Sequence, residues 1–137
     1  MNIEINNFTK SRVDKKYFQK IGEIVLKKLK QPKNVGISLV FVGDKRIKRL
    51  NKKYRGKNKT TDVLSFAYQE KEFLGDIIIS IPQAKKQAKT RSYPLKRELL
   101  ELFVHGILHL VGYEDETEKG YREMIEKQNE ILGYLNF

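Results

Sequence analysis

The sequence contains no cysteine, and only 3 of its 137 residues are proline. The absence of cysteine excludes a disulfide framework, a thiolate metal site, a cysteine nucleophile and an iron–sulfur cluster. No segment approaches the roughly 20 consecutive apolar residues of a membrane span. The first ten residues, MNIEINNFTK, have no apolar core typical of a signal peptide. We therefore expect a cytoplasmic protein with no membrane partner.

The length and composition are those of one folded domain. A chain of 137 residues falls within the roughly 100–200 residues of a single domain and can bury about two thirds of its unfolded surface. Hydrophobic residues make up 39% of the chain and aromatic residues 10%, which excludes an intrinsically disordered protein. Glycine and proline occur singly, without a linker or a repeat, so we expect one domain over residues 1–137.

The charge is strongly basic and unevenly distributed. The net charge is +11, from 28 Lys and Arg against 17 Asp and Glu. Residues 1–60 hold 18 basic and 4 acidic residues, a net of +14, whereas residues 61–137 hold 10 and 13, a net of −3. A basic half favours a polyanionic partner such as nucleic acid, because Lys and Arg that neutralise phosphates release counterions. The alternative is a lysine-rich solvated surface, as in proteins of heat-adapted organisms.

Apolar periodicity predicts nine elements in the order β-α-β-α-β-β-α-α-α. The second helix is predicted to have Ile47, Leu50 and Tyr54 on its inner face, and the short gap between the third and fourth strands favours antiparallel neighbours. We expect an α+β fold, loosely a mixed α/β fold, in which about five helices cover a mixed, mostly four-stranded sheet. The predicted strands span 2–6, 35–42, 63–68 and 75–80, and the predicted helices about 15–31, 45–54, 82–89, 95–111 and 118–132.

Both histidines of the sequence, His105 and His109, lie in the long predicted helix. A separation of four residues puts both rings on one helix face, about 5–6 Å apart at Cβ, which suits two ligands of one metal ion. Gly112 can take the left-handed conformation that ends a helix, so the chain can turn back and bring Asp115 to the same ion. The pattern H-x3-H-x2-G-x2-D has the spacing of a three-ligand metal site, and its open fourth position favours catalysis.

These residues also have purely structural interpretations. The two histidines can be packed residues that bond to the backbone, and Asp115 followed by Glu118 matches a helix N-cap with an acidic first turn. A zinc-protease helix carries Glu directly after its first His, whereas this chain has Gly106, so a peptidase of that kind lacks its general base. Glu101, one turn before His105, is the alternative general base, although a solvated helix face is the favoured interpretation of this residue.

Three stretches of the chain together resemble one known family. The segment HGILHLVGYED at 105–115 is close to the pattern H-G-x-L-H-L-x-G-Y-D-H, and YRGKNKTTDVLSF at 54–66 and LGDIIIS at 74–80 agree as well. In these motifs the chain resembles the YbeY family, single-strand-specific endoribonucleases that act in ribosomal RNA maturation. The resemblance covers residues 50–137, and the N-terminal part is similar in layout.

The resemblance implies a mixed α/β domain that binds one zinc ion per chain at the end of the long helix, with another divalent transition metal as the alternative. His105 and His109 match the family's first two metal-binding histidines, and Asp115 stands where the family's third ligand is His. A carboxylate is an accepted zinc ligand and makes the site harder and more anionic. Glu114 and Glu116 are the alternative third ligands.

The family's active-site arginine corresponds to Arg55, which opens a basic loop at 55–61. A guanidinium can bind a phosphate with two parallel hydrogen bonds, although the residues alone equally suit one of many solvated cations. The resemblance implies Arg55 and His105 as catalytic residues. The cations predicted to guide the RNA backbone are Lys45, Arg46, Lys48, Arg49, Lys52, Lys53, Arg55, Lys57 and Lys59.

The leading hypothesis is a metal-dependent, single-strand-specific endoribonuclease. The resemblance implies ribosomal RNA as its substrate, in 16S rRNA 3′-end processing and ribosome quality control, with the small ribosomal subunit as a candidate partner. A second hypothesis is a non-catalytic RNA-binding factor for ribosome assembly with a structural metal, which Asp115 keeps open. A third is a metal-dependent hydrolase of another substrate, against which Gly106 and the basic half argue.

Overall fold

The structure, a computed structural model, describes residues 1–136 and has its elements in the predicted order. Boundaries differ from the prediction by a few residues, as at β4, which begins at Phe73. The strands are β1 Asn2–Asn7, β2 Gly36–Val42, β3 Val63–Ala67 and β4 Phe73–Ser80. The helices are α1 Lys15–Lys28, α2 Asp44–Arg55, α3 Ile81–Arg91, α4 Leu95–Leu110 and α5 Glu118–Tyr134. None of these helices in the described part of the chain has the length and apolarity needed to cross a membrane.

The four strands form one mixed sheet in the order β1-β2-β4-β3. β1 pairs with β2 and β2 pairs with β4 in parallel, whereas β3 and β4 are antiparallel neighbours, as the short gap between them predicted. β2 and most of β4 are buried, which explains their nearly continuous apolar sequences. β3 forms one edge of the sheet and β1 forms the other.

The main core lies between one face of the sheet and helices α1 and α4. Alternate strand residues point into it, as Ile37, Leu39 and Phe41 do on β2. Phe18 of α1 packs edge-to-face against Phe41 and against Phe103 of α4, with ring centroids 5.6 and 5.9 Å apart. α4 also contacts α3 and α5, so ten of its 16 residues are buried. This burial fixes the position of the helix that carries both histidines.

Glycine at position 106 allows α4 to pack closely on the sheet. A Cβ atom built at Gly106 would lie 2.7 Å from Cγ2 of Ile77 on β4, which is closer than real Cβ contacts. Gly106, which stands where a zinc-protease helix carries Glu, therefore has a packing role. A Glu side chain at this position would require the helix and the sheet to move apart.

The opposite face of the sheet is covered by α2. Ile47 of α2 is buried against Leu64 and Ile78 in a second, smaller cluster. The prediction that Tyr54 lies on the inner face of α2 is wrong, because its side chain is 59% exposed. Tyr54 belongs to the last turn of α2, where it contacts the edge strand, and its ring centroid is 5.4 Å from that of Phe66 on β3. Solvent covers the rest of the ring because β3 is the edge strand of the sheet that residues 1–136 form.

Candidate active site

The last turns of α4 bring the two histidines together. His105 and His109 lie on one face of the helix, and both side chains are partly buried. Their Nε2 atoms are 3.2 Å apart, and the two rings are nearly perpendicular with centroids 4.8 Å apart. This is the arrangement that the four-residue spacing predicts for two ligands of one ion.

A tight turn after α4 brings Asp115 to the histidine pair. Gly112 has a φ of 106°, which L side chains rarely adopt, and the chain reverses direction there. The Oδ2 atom of Asp115 lies 3.6 Å from Nε2 of His109 and 4.0 Å from Nε2 of His105. The candidate ligand atoms of the three residues all lie within 4.8 Å of one another, so they form a possible metal-binding triad.

The structure also distinguishes among the roles predicted for the acidic residues after α4. The N-cap of α5 is Thr117, whose hydroxyl accepts a hydrogen bond from the Gly120 N–H at 3.0 Å, so Asp115 is not the cap. Glu114 and Glu116 are exposed, and within residues 1–136 neither belongs to a group of mutually close candidate ligands. Asp115 is therefore the acidic residue of this segment that lies beside both histidines.

Hydrogen bonds on the far side of each ring orient the two Nε2 atoms. Nδ1 of His105 is 2.9 Å from Oε1 of Gln128, and Nδ1 of His109 is 3.1 Å from the backbone carbonyl oxygen of Tyr113. Both partners are acceptors, so each Nδ1 carries the donated proton and each Nε2 keeps its lone pair. Two lone pairs that face each other at 3.2 Å repel unless a metal ion or a proton lies between them.

Burial keeps His109 in the form that binds metals. Burial is the largest cause that lowers the pKa of His109, and the neighbouring His105 lowers it further, while Asp115 and the hydrogen bond to Tyr113 oppose the shift. The lowered pKa favours the neutral imidazole near neutral pH, which is the form that coordinates a metal. The environment of His109 thus disfavours a proton as the cation between the two rings.

The donor set fits zinc or a similar divalent ion. Two imidazole nitrogens and one carboxylate oxygen are three protein ligands, the number found in catalytic zinc sites with an open fourth position. With bonds of about 2.0–2.1 Å, two ligands of a tetrahedral ion lie about 3.3 Å apart, and the two Nε2 atoms are 3.2 Å apart. The Asp115 oxygen lies slightly farther away, at 3.6 Å from Nε2 of His109 and 4.0 Å from Nε2 of His105, on an exposed segment.

A polar pocket of about 220 Å³ lies beside His105, and its lining includes Glu98, Glu101, Arg91 and Gln128. The prediction that Glu101 lies on a solvated face is wrong, because α3 packs beside α4 there and leaves the Glu101 side chain only 20% exposed. Its Oε2 atom is 3.8 Å from the Arg91 guanidinium and has no hydrogen-bond partner among the described residues. Glu98 is fully buried, 3.3 Å from Arg91, and burial raises the pKa of Glu98 although Arg91 partly offsets the shift.

Arg55 is the last residue of α2. Its positive charge is one of the causes that lower the pKa of His109, after burial and the charge of His105. α2 and α4 cover opposite faces of the sheet. Both helices contact the edge strand β3, α2 through Tyr54 on Phe66 and α4 through its own packing on that strand. Arg55 is exposed and forms no ion pair with a carboxylate in the described part of the chain.

The nine cations predicted to bind RNA are all exposed, and none of them forms an ion pair within residues 1–136. Two of them lie over aromatic rings: the Arg46 guanidinium is 4.4 Å from the ring centroid of Phe8, and Lys53 Nζ is 5.3 Å from that of Tyr54. All nine lie on α2 or on the loop that follows it. We call them the basic surface: Lys45, Arg46, Lys48, Arg49, Lys52, Lys53, Arg55, Lys57 and Lys59.

Gln128 is the residue of this site that sequence reasoning missed. It lies on α5 in the same helical row as Met124 and Ile131, which are both buried. A polar side chain in an otherwise apolar row is the signal that could have found it, because a buried amide requires a hydrogen-bond partner. Its partner, His105, is 23 residues away on another helix, so the packing of α5 on α4 had to be known first.

The family model and the curated relatives that match this chain all point to one family. A family model described as Endoribonuclease YbeY matches residues 2–136. Endoribonuclease YbeY of Acholeplasma laidlawii is 41% identical over 136 residues, which cover 98% of each chain. Endoribonuclease YbeY of Persephonella marina is 43% identical over 127 residues, or 88% of this chain and 82% of the relative. The solution structure of TM1509 from Thermotoga maritima matches with a TM-score of 0.65 at 28% identity and covers 98% of this chain and 91% of that chain.

These matches extend beyond the three sequence motifs. The family model begins at the first residue of β1 and continues past the end of α5, so it includes the N-terminal part that is similar to the family in layout only. The four-stranded α+β fold and the family resemblance predicted from the sequence are both confirmed. Similarity over the whole chain, together with a histidine pair at the end of α4, leads to one conclusion. The chain belongs to the endoribonuclease YbeY family.

Proposed function

We propose that the chain is a zinc-dependent endoribonuclease that cleaves single-stranded ribosomal RNA in the cytoplasm. One observation carries the metal-dependent part of the proposal: the Nε2 atoms of His105 and His109 face each other at 3.2 Å, with Asp115 beside them. The family, whose relatives are named endoribonucleases, supports RNA as the substrate. The basic surface supports a polyanion as well, because its exposed cations have no acidic partners in residues 1–136.

His105, His109 and Asp115 would hold one zinc ion per chain, as part of a single YbeY-like domain over residues 1–137. When bound, a zinc ion supplies Lewis acidity toward a phosphate and activates water. The chain's own contribution is to hold the three donors in place. Gln128 and the carbonyl group of Tyr113 fix the tautomer and orientation of the two rings, and the Asp115 carboxylate offsets part of the positive charge.

Arg55 is the residue that would bind the scissile phosphate. A guanidinium can donate two parallel hydrogen bonds to phosphate oxygens and can offset the charge that develops on them during cleavage. The match of Arg55 to the family's active-site arginine supports this role, as does the absence of a competing carboxylate partner in the described part of the chain. Lys cannot reproduce the two-pronged contact.

The other eight cations of the basic surface would hold the RNA backbone on either side of that phosphate. Such contacts supply affinity and fix the position of the strand without reading its bases. We extend the proposal to 16S rRNA 3′-end processing and ribosome quality control, with the small ribosomal subunit as partner. A positively charged helix beside the cleavage site suits a substrate that is itself part of a large RNA assembly.

The decisive experiment combines elemental analysis with an RNA-cleavage assay on one set of purified variants. We expect zinc in the wild type, cleavage of single-stranded RNA, and loss of that cleavage on chelation. His105→Ala and His109→Ala should lose both zinc and cleavage. Arg55→Ala should keep zinc and lose cleavage, and Arg55→Lys should recover only a small part of it.

Arg12 offers a matched control for Arg55. It is an exposed arginine beside Leu95 and Lys96 at the opposite end of α4, so Arg12→Ala should keep both zinc and cleavage. Metal-loaded wild type that binds RNA but never cuts it would overturn the enzyme proposal in favour of an assembly factor. Protein that cleaves RNA fully after removal of every divalent ion would overturn the metal-dependent part.

A further inference from the structure

An aromatic groove lies on the α2 face of the sheet, beside the edge strand β3. It has a volume of about 310 Å³, at the lower end of the range of about 300–1,000 Å³ typical of ligand sites. Tyr54 and Tyr68 are 59% and 45% exposed, so both rings present open surface to a ligand. The groove is lined by Leu50, Tyr54, Phe66, Tyr68, Asp76 and Ile78.

The rings of the groove are held by contacts that leave their outer surfaces open. Tyr54 packs edge-to-face on Phe66, with centroids 5.4 Å apart. Tyr68 packs edge-to-face on Phe73, with centroids 5.2 Å apart, and its hydroxyl donates a hydrogen bond to Oδ2 of Asp76 at 2.7 Å. Rings fixed in this way lose little conformational freedom when a ligand stacks on them.

The groove adjoins the end of α2 that carries Arg55. Tyr54 is adjacent in sequence to Arg55 and packs on Phe66 of β3, the edge strand on which α4 packs as well. The histidine pair lies on the α4 side of the sheet and the groove on the α2 side, with β3 as the edge between them. A strand whose phosphate is bound by Arg55 can therefore place a neighbouring base over Tyr54.

The chemistry of the groove suits a base better than a phosphate. One cation flanks the groove, because Lys53 Nζ lies 5.3 Å from the centroid of the Tyr54 ring, but the lining of the groove contains the carboxylate of Asp76. A carboxylate repels a phosphate, whereas it accepts hydrogen bonds from the N–H groups on the edge of a base. Aromatic faces bind unstacked bases of single-stranded nucleic acids.

We propose that Tyr54, Phe66 and Tyr68 form a stacking subsite for one unpaired base of the RNA, next to the phosphate bound by Arg55. This inference rests on the proposed function, because it takes RNA as the ligand and Arg55 as its phosphate contact. It also gives a physical reason for acting on single strands. A base inside a duplex is already stacked on its neighbours and cannot enter the groove.

Equilibrium binding of short single-stranded DNA tests the subsite without interference from cleavage. A strand of deoxyadenosines keeps both bases and phosphates, and an abasic strand of equal length keeps only the phosphates. Tyr54→Ala should bind the deoxyadenosine strand about tenfold more weakly than wild type, within the range for loss of one base–aromatic stack. Tyr54→Phe keeps the ring and should bind within about twofold of wild type. On the abasic strand, wild type and Tyr54→Ala should bind equally.

Tyr134 provides the matched control. It is 58% exposed and has Lys28 Nζ 3.6 Å from its ring centroid, so it resembles Tyr54 in exposure and charge but lies at the end of α5. Tyr134→Ala should bind both strands as wild type does. Equal binding of the deoxyadenosine strand by wild type and folded Tyr54→Ala would overturn the subsite. Equal weakening on both strands would also overturn it, because the loss would then concern phosphates.

The outcome is separable from that of the proposed function. If metal-loaded wild type fails to cleave RNA while Tyr54→Ala still loses affinity only for the strand with bases, the enzyme proposal fails and the subsite stands. If wild type cleaves RNA and Tyr54→Ala binds both strands normally, the enzyme proposal stands and the subsite fails.

Discussion

Gln128 on α5 accepts a hydrogen bond from Nδ1 of His105 on α4, with the two atoms 2.9 Å apart. This contact joins two helices at the candidate metal site. It fixes the tautomer of His105 so that Nε2 faces the corresponding atom of His109. A side chain that touches no metal thus determines the direction in which a ligand points.

Removing that hydrogen bond should weaken metal binding without unfolding the protein. We expect Gln128→Ala to lower zinc affinity by about 10–100-fold, the range for loss of a partner of a metal-bound histidine. Gln128→Glu keeps the acceptor and should keep the affinity. Competition with a chromophoric chelator measures the zinc affinities of both variants. The exposed neighbour Asn129 serves as a control, and if Asn129→Ala weakened zinc binding as much as Gln128→Ala, the effect would belong to α5 as a whole.

Substitutions at Asp115 and Thr117 should distinguish metal binding from capping of helix α5. Asp115→Ala removes a candidate ligand, so we expect a marked loss of zinc affinity and no change in the stability of the metal-free protein. Thr117→Ala removes the N-cap of α5 and should cost about 1 kcal/mol of unfolding free energy, with zinc retained. Asp115→His should restore zinc binding. The assignment of Asp115 fails if its Ala variant binds zinc as tightly as wild type.

The order of elements was predictable because local patterns and tertiary structure agree. β2 is a nearly continuous apolar run and is buried, and the Asp14 side chain caps α1 by accepting from the Tyr17 N–H at 3.1 Å. The four-residue histidine spacing on α4 needed only helix geometry. Asp115 followed because Gly112 permits the reversal of the chain.

The features that sequence reasoning missed depend on contacts between distant elements. Glu101 is partly buried because α3 covers its face of α4, and no pattern within α4 indicates that cover. Tyr54 has the helical spacing of an inner residue, but it lies beside the edge strand β3 and is exposed. Gln128 has the helical position of a core residue but a partner 23 residues away. To predict any of these three features, one would need to know how one helix or strand packs on another.

Gly106→Ala should destabilise the fold through a clash with the sheet. The added methyl group would meet Ile77 at 2.7 Å, and overpacking of this kind costs about 1–3 kcal/mol. Gly133 is a helical glycine for which a built Cβ has no atom of residues 1–136 within 4 Å, so it is the matched control, and its replacement by Ala should stabilise by up to about 1 kcal/mol. Urea unfolding of both variants measures the difference. Equal effects at the two positions would show that α4 does not need a close approach to β4.

RNA binding should depend steeply on salt, and the basic surface should account for that dependence. For single strands the logarithm of affinity falls by about 0.7 per decade of salt for each phosphate neutralised. Replacing both Lys52 and Lys53 by Ala should therefore reduce the slope by about 1.4. Lys15 and Lys16, exposed in the first turn of α1, form a control pair outside the basic surface. An equal reduction from this pair would mean that RNA binds through net charge rather than through α2.

The pH dependence of stability should reveal the buried carboxylate of Glu98. Burial raises its pKa above the ordinary value of 4.5, and Arg91 only partly offsets that effect. The folded state therefore holds the Glu98 proton more tightly than the unfolded state does. The resulting stability is fully present below pH 4.5 and is lost as the pH rises through the raised pKa. Glu98→Gln removes the titrating group and therefore this loss. The unfolding free energy of the variant should increase relative to that of wild type as the pH rises. Urea unfolding across the pH range measures the difference between the two proteins, and a difference that does not change with pH would show that Glu98 titrates normally.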